Sequence, residues 1–154
     1  MSVQLQESES TILDAARAAA KVGQLPYAGG VLPQDAWALV ESGAATLVDV
    51  RTAEERKFVG YPPGSVHVAW ATGTSFTRNP RFVRELEAKV GKDGVALLLC
   101  RSGNRSAQAA EAASKAGFAH AFNVVEGFEG RLDERQRRGE TDGWRFRGLP
   151  WLQD

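Results

Sequence analysis

Apolar positions along the chain fall into two alternating periods. In "SESTILDAARAAAKV" (residues 8–22), Ile12, Leu13, Ala16 and Ala19 or Ala20 recur at helical spacing, with Ser8, Ser10 or Thr11 placed to cap. "GQLPYAGG" breaks that period and reads as a linker. "LPQDAWALVESGAA" predicts a short helix ending at Gly43, and the β-branched run "TLVDV" (Thr46–Val50) a strand. "TAEERKFVG" has room for one or two helical turns. The Pro-Pro-Gly turn of "YPPGSVHVAW" leads into a short strand through Val66–Val68. "NPRFVRELEAKVG" predicts a helix with Phe82, Val83, Leu86 and Val90 on one side. "GVALLLC" is the most buried-looking strand, "SAQAAEAASKAGF" a helix stopped at Gly117, and "AFNVVEG" a further strand. "ATGTSFTRNP" carries no diagnostic pattern. The aromatic tail "GWRFRGLPWLQD" has no clear period and is expected to pack back over the domain.

Strands alternating with helices imply an α/β fold with a mostly parallel sheet. A length of 154 residues suits one domain with a core that needs neither disulfides nor metals. The formal net charge is zero, which argues against a nucleic-acid footprint over the whole chain. No apolar run is long enough to span a membrane, and "MSVQLQESES" lacks the pattern of a signal peptide. One cysteine forms no intramolecular disulfide, so the expected compartment is the cytoplasm. With one Cys, and two His at no ligand spacing, a zinc site has no support.

That cysteine, Cys100, ends the central strand in "LLLCRSGNRSAQAA". Ligands bind at this edge of open parallel sheets. Arg101, Ser102, Gly103, Asn104 and Arg105 then lead into the next helix. Gly and Asn tolerate the left-handed conformations of a tight loop, whose backbone amides form an anion-binding nest. The helix adds unpaired amides and the positive end of its dipole. Such a setting lowers a thiol's pKa and yields the nucleophilic thiolate. The same cradle holds any anionic group that replaces the proton. A free cysteine taken alone is more often a small core residue; the strand–loop–helix setting reverses that reading here.

With these motifs in view, the chain resembles the rhodanese family of single-domain sulfurtransferases. "CRSGNR" resembles the family's six-residue active-site loop, and "LVDVRTAEERKFVGYPPGSVHVAW" its upstream signature. "NVVEGFEG" resembles the strand and glycine turn after the active-site helix, and "GWRFRGLPW" a common tail. The likeness covers roughly residues 30–152, leaving residues 1–29 as a helical arm and linker before a domain at 30–154. It implies a central, mostly parallel sheet flanked by helices on both faces, with an extra N-terminal helix.

The resemblance implies sulfur transfer by double displacement. A small anionic sulfur donor such as thiosulfate gives one sulfur to Cys100, and a thiophilic acceptor takes it. No metal or organic cofactor is called for. By the same resemblance the amides of Arg101–Arg105 stabilise the persulfide, and Arg101 is the better candidate for substrate contact. Arg105 closes the loop and is the more structural of the two. Asp49 and Arg51 are expected to brace the loop by salt bridges. Trp70 and Phe76 are placed either at the mouth of the site or in packing. His67 is expected to make a hydrogen bond and not to act as a base. The four tryptophans read as packing anchors. The arm is expected to pack as an extra helix, with a protein partner as its other reading.

Related phosphatases and arsenate reductases use a Cys-x5-Arg loop, against Cys-x4-Arg here. One residue adds up to about 3.3–3.6 Å of chain, so the shorter loop suits one sulfur atom and the longer one a tetrahedral oxyanion. A non-catalytic binding module of this family usually lacks the cysteine. A persulfide carrier served by a dedicated donor protein remains the closest alternative.

Overall fold

The computed structural model describes residues 2–154, with side chains from Glu9 onward. In chain order the elements are α1 (Ser2–Gly23), β1 (Gly29–Val31), α2 (Pro33–Glu41), β2 (Thr46–Asp49), α3 (Ala53–Val59) and β3 (Val66–His67). They continue with β4 (Ala71–Thr72), β5 (Thr77–Arg78), α4 (Phe82–Val90), β6 (Ala96–Leu99), α5 (Asn104–Lys115) and β7 (Ala121–Val124). The main sheet has the order β1-β7-β6-β2-β3 and every pairing in it is parallel.

The central strand β6 is buried on both faces, which explains why "ALLL" shows no polar alternation. Its side chains still sort by period two. Leu97 and Leu99 join Ala36, Leu39, Phe122 and Val124 on the face covered by α1 and α2. Ala96, Leu98 and Cys100 join Phe82, Leu86, Ala109 and Ala113 on the face covered by α4 and α5. Alanine on α5 lets that helix lie close to the sheet, and Ala109, Ala110 and Ala113 are fully buried.

Three stretches differ from the sequence reading. The linker's glycine pair opens β1, an edge strand on β7. Ala16 of α1 packs so closely that a Cβ on Gly29 would stand 2.6 Å from its carbonyl oxygen. The glycines that read as a breaker thus seat the helix on the strand. The undiagnosed segment 71–80 forms a two-stranded antiparallel hairpin, β4–β5. The first helix also begins earlier than expected, at Ser2, so Ser10 lies inside it and donates to Asp14. The tail packs back as expected: Trp144 is fully buried and Leu152 bridges to Tyr61.

Candidate active site

Cys100 follows the last residue of β6, at the carboxyl end of the parallel strands, and is 1% exposed. The chain turns through Arg101 and Ser102 to Gly103, whose φ of +102° is a left-handed value that favours glycine. This bend brings the Gly103 amide back onto Cys100 Sγ at 3.1 Å. Ser106, in the first turn of α5, places its Oγ 3.2 Å from the same sulfur. Ser106 Oγ also lies 2.5 Å from Asn123 Oδ1, and Asn123 Nδ2 donates to the Gly103 carbonyl at 3.2 Å. The thiol therefore sits between a backbone amide and a hydroxyl, both tied to β7 through one buried asparagine.

A turn after β7 clamps the loop from outside. Glu126 and Gly127 both take positive φ, +75° and +71°, and reverse the chain. The Phe128 amide then donates to the Cys100 carbonyl at 2.8 Å, and the Glu129 and Gly130 amides donate to the Arg101 carbonyl. The tail locks this turn in place. Trp144 N donates to the Gly127 carbonyl, and the Glu126 carboxylate accepts from Gly143 N and Arg147.

The two loop arginines have different settings. Arg105 makes a two-pronged ion pair with Glu55, both contacts 2.8 Å, and lies over the Phe76 ring. Glu55 is also the third helical residue of a capping box opened by Thr52. Burial pushes the Glu55 carboxyl up. The hydrogen bonds from Arg105 and Thr52, with the charges of Arg105 and Arg51, outweigh it and lower the pKa from 4.5 to about 2. A lowered carboxyl contributes stability that is complete above the unfolded value and is lost as pH falls through the folded one. Glu55→Gln is therefore expected to be less stable than wild type at pH 6, with the gap closing between pH 4.5 and about 2. Urea midpoints measured across that window check it, and a constant gap would contradict the assignment.

Arg101, by contrast, keeps its Nε buried with no hydrogen-bond partner among the described residues. Its side chain borders a cleft of about 390 Å³ in which Cys100, Arg101 and Arg105 meet Trp70, Phe76 and Arg78. A second cleft shares Arg101 and Phe76 with the first and is bordered by Arg138 and Glu129. Burial and the nearby charge of Arg101 lower the Arg138 pKa, and its Nη1 is held on the Gly130 carbonyl. The β4–β5 hairpin supplies Phe76 and Arg78 to the mouth, so the segment with no sequence signal forms a wall of the site. Trp70 serves both expected roles. It lines the cleft beneath Arg78, packs edge-on against Phe82, and donates from Nε1 to Gln108.

Asp49 and Arg51 are fully buried at the end of β2, but they do not bridge to the loop. Arg51 pairs with Asp49 through Nε and Nη2 and donates to the Gly60 carbonyl, while Arg56 takes the second side of Asp49 Oδ2. The remaining Arg51 nitrogen, Nη1, has no hydrogen-bond partner among the described residues. The guanidinium lies 4.4 Å from the centroid of the Phe128 ring. Support reaches the loop indirectly, through Phe128 and its amide, and not by the expected salt bridge. His67 Nε2 lies 2.7 Å from the Arg51 carbonyl, a structural hydrogen bond. Trp37 and Trp144 pack edge to face, as anchors do.

Sequence reasoning missed Ser106, Asn123 and Glu55. Asn123 carried a signal, a polar residue inside an apolar strand, since buried polar groups need partners. Ser106 sat one residue beyond the loop. Glu55 lay in a segment read only as one or two helical turns, and nothing local pointed to Arg105, 50 residues away.

The model of the rhodanese-like domain matches residues 32–133. The chain belongs to the rhodanese-like domain family. It is similar to the crystal structure of Rv0390 from M. tuberculosis, with a TM-score of 0.74 and 45% identity over 83% of this chain and 99% of that one. The polysulfide-sulfur transferase homodimer of Wolinella succinogenes shares the fold at a TM-score of 0.54 and 22% identity, covering 100% of this chain and 93% of that one. Among curated sequences, the uncharacterized protein RC0915 of Rickettsia conorii is 32% identical over 118 residues, 73% of this chain and 87% of that protein. Within the rhodanese-like domain, Cys100 occupies the loop between β6 and α5. Among the described residues, no helix is long and apolar enough to cross a membrane.

Proposed function

We propose that this rhodanese-like protein is a sulfurtransferase that carries sulfane sulfur as a persulfide on Cys100. The observation that carries the reading is the seat of Cys100 Sγ, under the Gly103 amide and the Ser106 hydroxyl, beside a cleft bordered by Arg78, Arg101 and Arg105. Residues 30–154 form the working domain and residues 1–29 its helical arm. The donor is a small anion such as thiosulfate, drawn to the arginines, among which Arg101 keeps a buried Nε without a hydrogen-bond partner among the described residues. The Sγ thiolate attacks the sulfane sulfur, the S–S bond of thiosulfate breaks, and sulfite leaves with the bonding pair. Cyanide or a thiol then attacks the outer sulfur of the persulfide and releases the Sγ thiolate. The Wolinella succinogenes protein that shares the fold is a polysulfide-sulfur transferase, in keeping with this chemistry.

The test is the intact mass after thiosulfate alone, alongside thiocyanate formation once cyanide is added. Wild type is expected to gain the mass of one sulfur and to turn over, and Cys100→Ala to do neither. If wild type shows no mass gain and no turnover, thiosulfate is not the donor. A persulfide formed only from a partner protein's sulfur would then point to a dedicated carrier, and hydrolysis of an aryl phosphate to a phosphatase.

A further inference from the structure

The Ser106 hydroxyl has one proton and two acceptors. Cys100 Sγ lies at 3.2 Å and Asn123 Oδ1 at 2.5 Å, in a setting where Ser106 is fully buried and Asn123 is 5% exposed. The orientation of Asn123 follows from its other end. Nδ2 must donate to the Gly103 carbonyl, which leaves Oδ1, an acceptor only, facing Ser106. Ser106 thus donates to the sulfur or to the amide oxygen, but not to both at once.

We infer that Ser106 is a rotating hydroxyl whose proton follows the charge on Cys100 Sγ, with Asn123 as its resting acceptor. This rests on the persulfide reading for its place in the cycle, though the geometry stands without it. In the neutral thiol, Ser106 donates to Asn123 Oδ1. In the thiolate, the hydroxyl turns and donates to Sγ, a charge-assisted bond that joins the one from the Gly103 amide. When Sγ forms its bond to the donor's sulfane sulfur and the leaving group departs with the electron pair, Sγ becomes a neutral divalent sulfur. The charge then resides on the outer sulfur, and the hydroxyl returns to Asn123. When the acceptor breaks the S–S bond, Sγ recovers its charge and Ser106 turns back. No proton leaves Ser106 at any step. Its O–H stabilises the thiolate as nucleophile in one half-reaction and as leaving group in the other.

Charged groups around the sulfur come from several elements: Arg101 from the loop, Arg105 from α5, Arg78 from β5, and Arg138 at longer range. Asp49 stands at the end of β2 and Glu55 on α3, each already paired with arginine. None of these charges is altered when Ser106 or Asn123 is replaced, so a pH profile reads the hydroxyl in Ser106 variants, and in Asn123 variants the sign of the shift separates the hydroxyl from the tie to Gly103.

The experiment follows the rate of Cys100 alkylation by iodoacetamide against pH, which needs no sulfur transfer, in the full-length protein. Ser106→Ala removes the donor to the thiolate, so the midpoint of its profile is expected to move upward by about one pH unit. Asn123→Leu removes the resting acceptor and leaves the hydroxyl to Sγ, so its midpoint is expected to move downward. Ser106→Thr keeps the O–H and is expected to return the midpoint to that of wild type. Thermal melts confirm that each variant is folded. Opposite shifts establish the switch even if thiosulfate proves not to be the donor. An upward shift in Asn123→Leu would overturn it, because Asn123 would then act only by pinning the Gly103 carbonyl. An unmoved midpoint in folded Ser106→Ala would overturn it too.

Discussion

Asp49→Ala is expected to destabilise the protein by about 3–5 kcal/mol, because it breaks a buried pair and strands the remaining charge. Asp49 and Arg51 are both fully buried, and Arg51 Nε and Nη2 reach the carboxylate at 2.9 and 2.8 Å. The carboxylate also anchors Arg56, so its removal takes a partner from two cations at once. Arg56 can turn toward Ser65 and solvent; Arg51 is left with the Gly60 carbonyl and the face of Phe128. A domain of this size loses roughly 2–4 °C in Tm per kcal/mol, so a drop of about 10 °C is expected in thermal melts. A double replacement, Asp49→Leu with Arg51→Met, removes both charges and is expected to lose less than Asp49→Ala alone. A drop of only one or two degrees in Asp49→Ala would mean that water or a local shift solvates Arg51 in the variant. Catalysis should follow stability here, since neither side chain touches Cys100 or the loop side chains.

Gly127→Ala acts on the site itself, and the expected result is a loss of about 100-fold in kcat/KM for sulfur transfer. A Cβ at this position would stand 2.5 Å from the Arg101 carbonyl carbon and oxygen and from the Ser102 amide nitrogen. All three are backbone atoms of the active-site loop, so no side chain can swing aside to make room. The positive φ adds strain for any L side chain. Either the loop or the turn must move, and they are joined by the three hydrogen bonds from Phe128, Glu129 and Gly130 to the Cys100 and Arg101 carbonyls. A shift of the loop carries the Gly103 amide away from Sγ. Steady-state thiocyanate formation checks the loss, and the alkylation rate of Cys100 should fall with it. Unchanged kinetics in a folded Gly127→Ala variant would show that the turn gives way without disturbing the loop.

Much of this was legible along the chain. The β6 run, the helices at 33–41, 82–90 and 104–115, and the strand before Asp49 follow from local period and breakers, because burial on a sheet or a helix face imposes a repeat on neighbouring residues. The thiol loop was legible for the same reason: strand end, cysteine, glycine bend and helix start are contiguous. Less legible were short elements whose stability comes from partners. β1 is three residues long and pairs with β7, more than ninety positions later. The β4–β5 hairpin has two-residue strands, too short for any alternation to register.

Sequence by itself therefore determined the α/β class, the parallel core, and a cysteine placed between a strand and a helix with arginines at hand. Those are consequences of order along one chain and of residue chemistry. The tertiary structure decided how the two loop arginines differ, by pairing Arg105 with Glu55 and leaving Arg101 Nε without a hydrogen-bond partner among the described residues. It also turned Asp49 and Arg51 inward onto each other and brought Ser106 and Asn123 together at the sulfur. Each of those outcomes depends on a contact of a few ångströms, set by how the helices and the β7 turn pack around the end of the sheet.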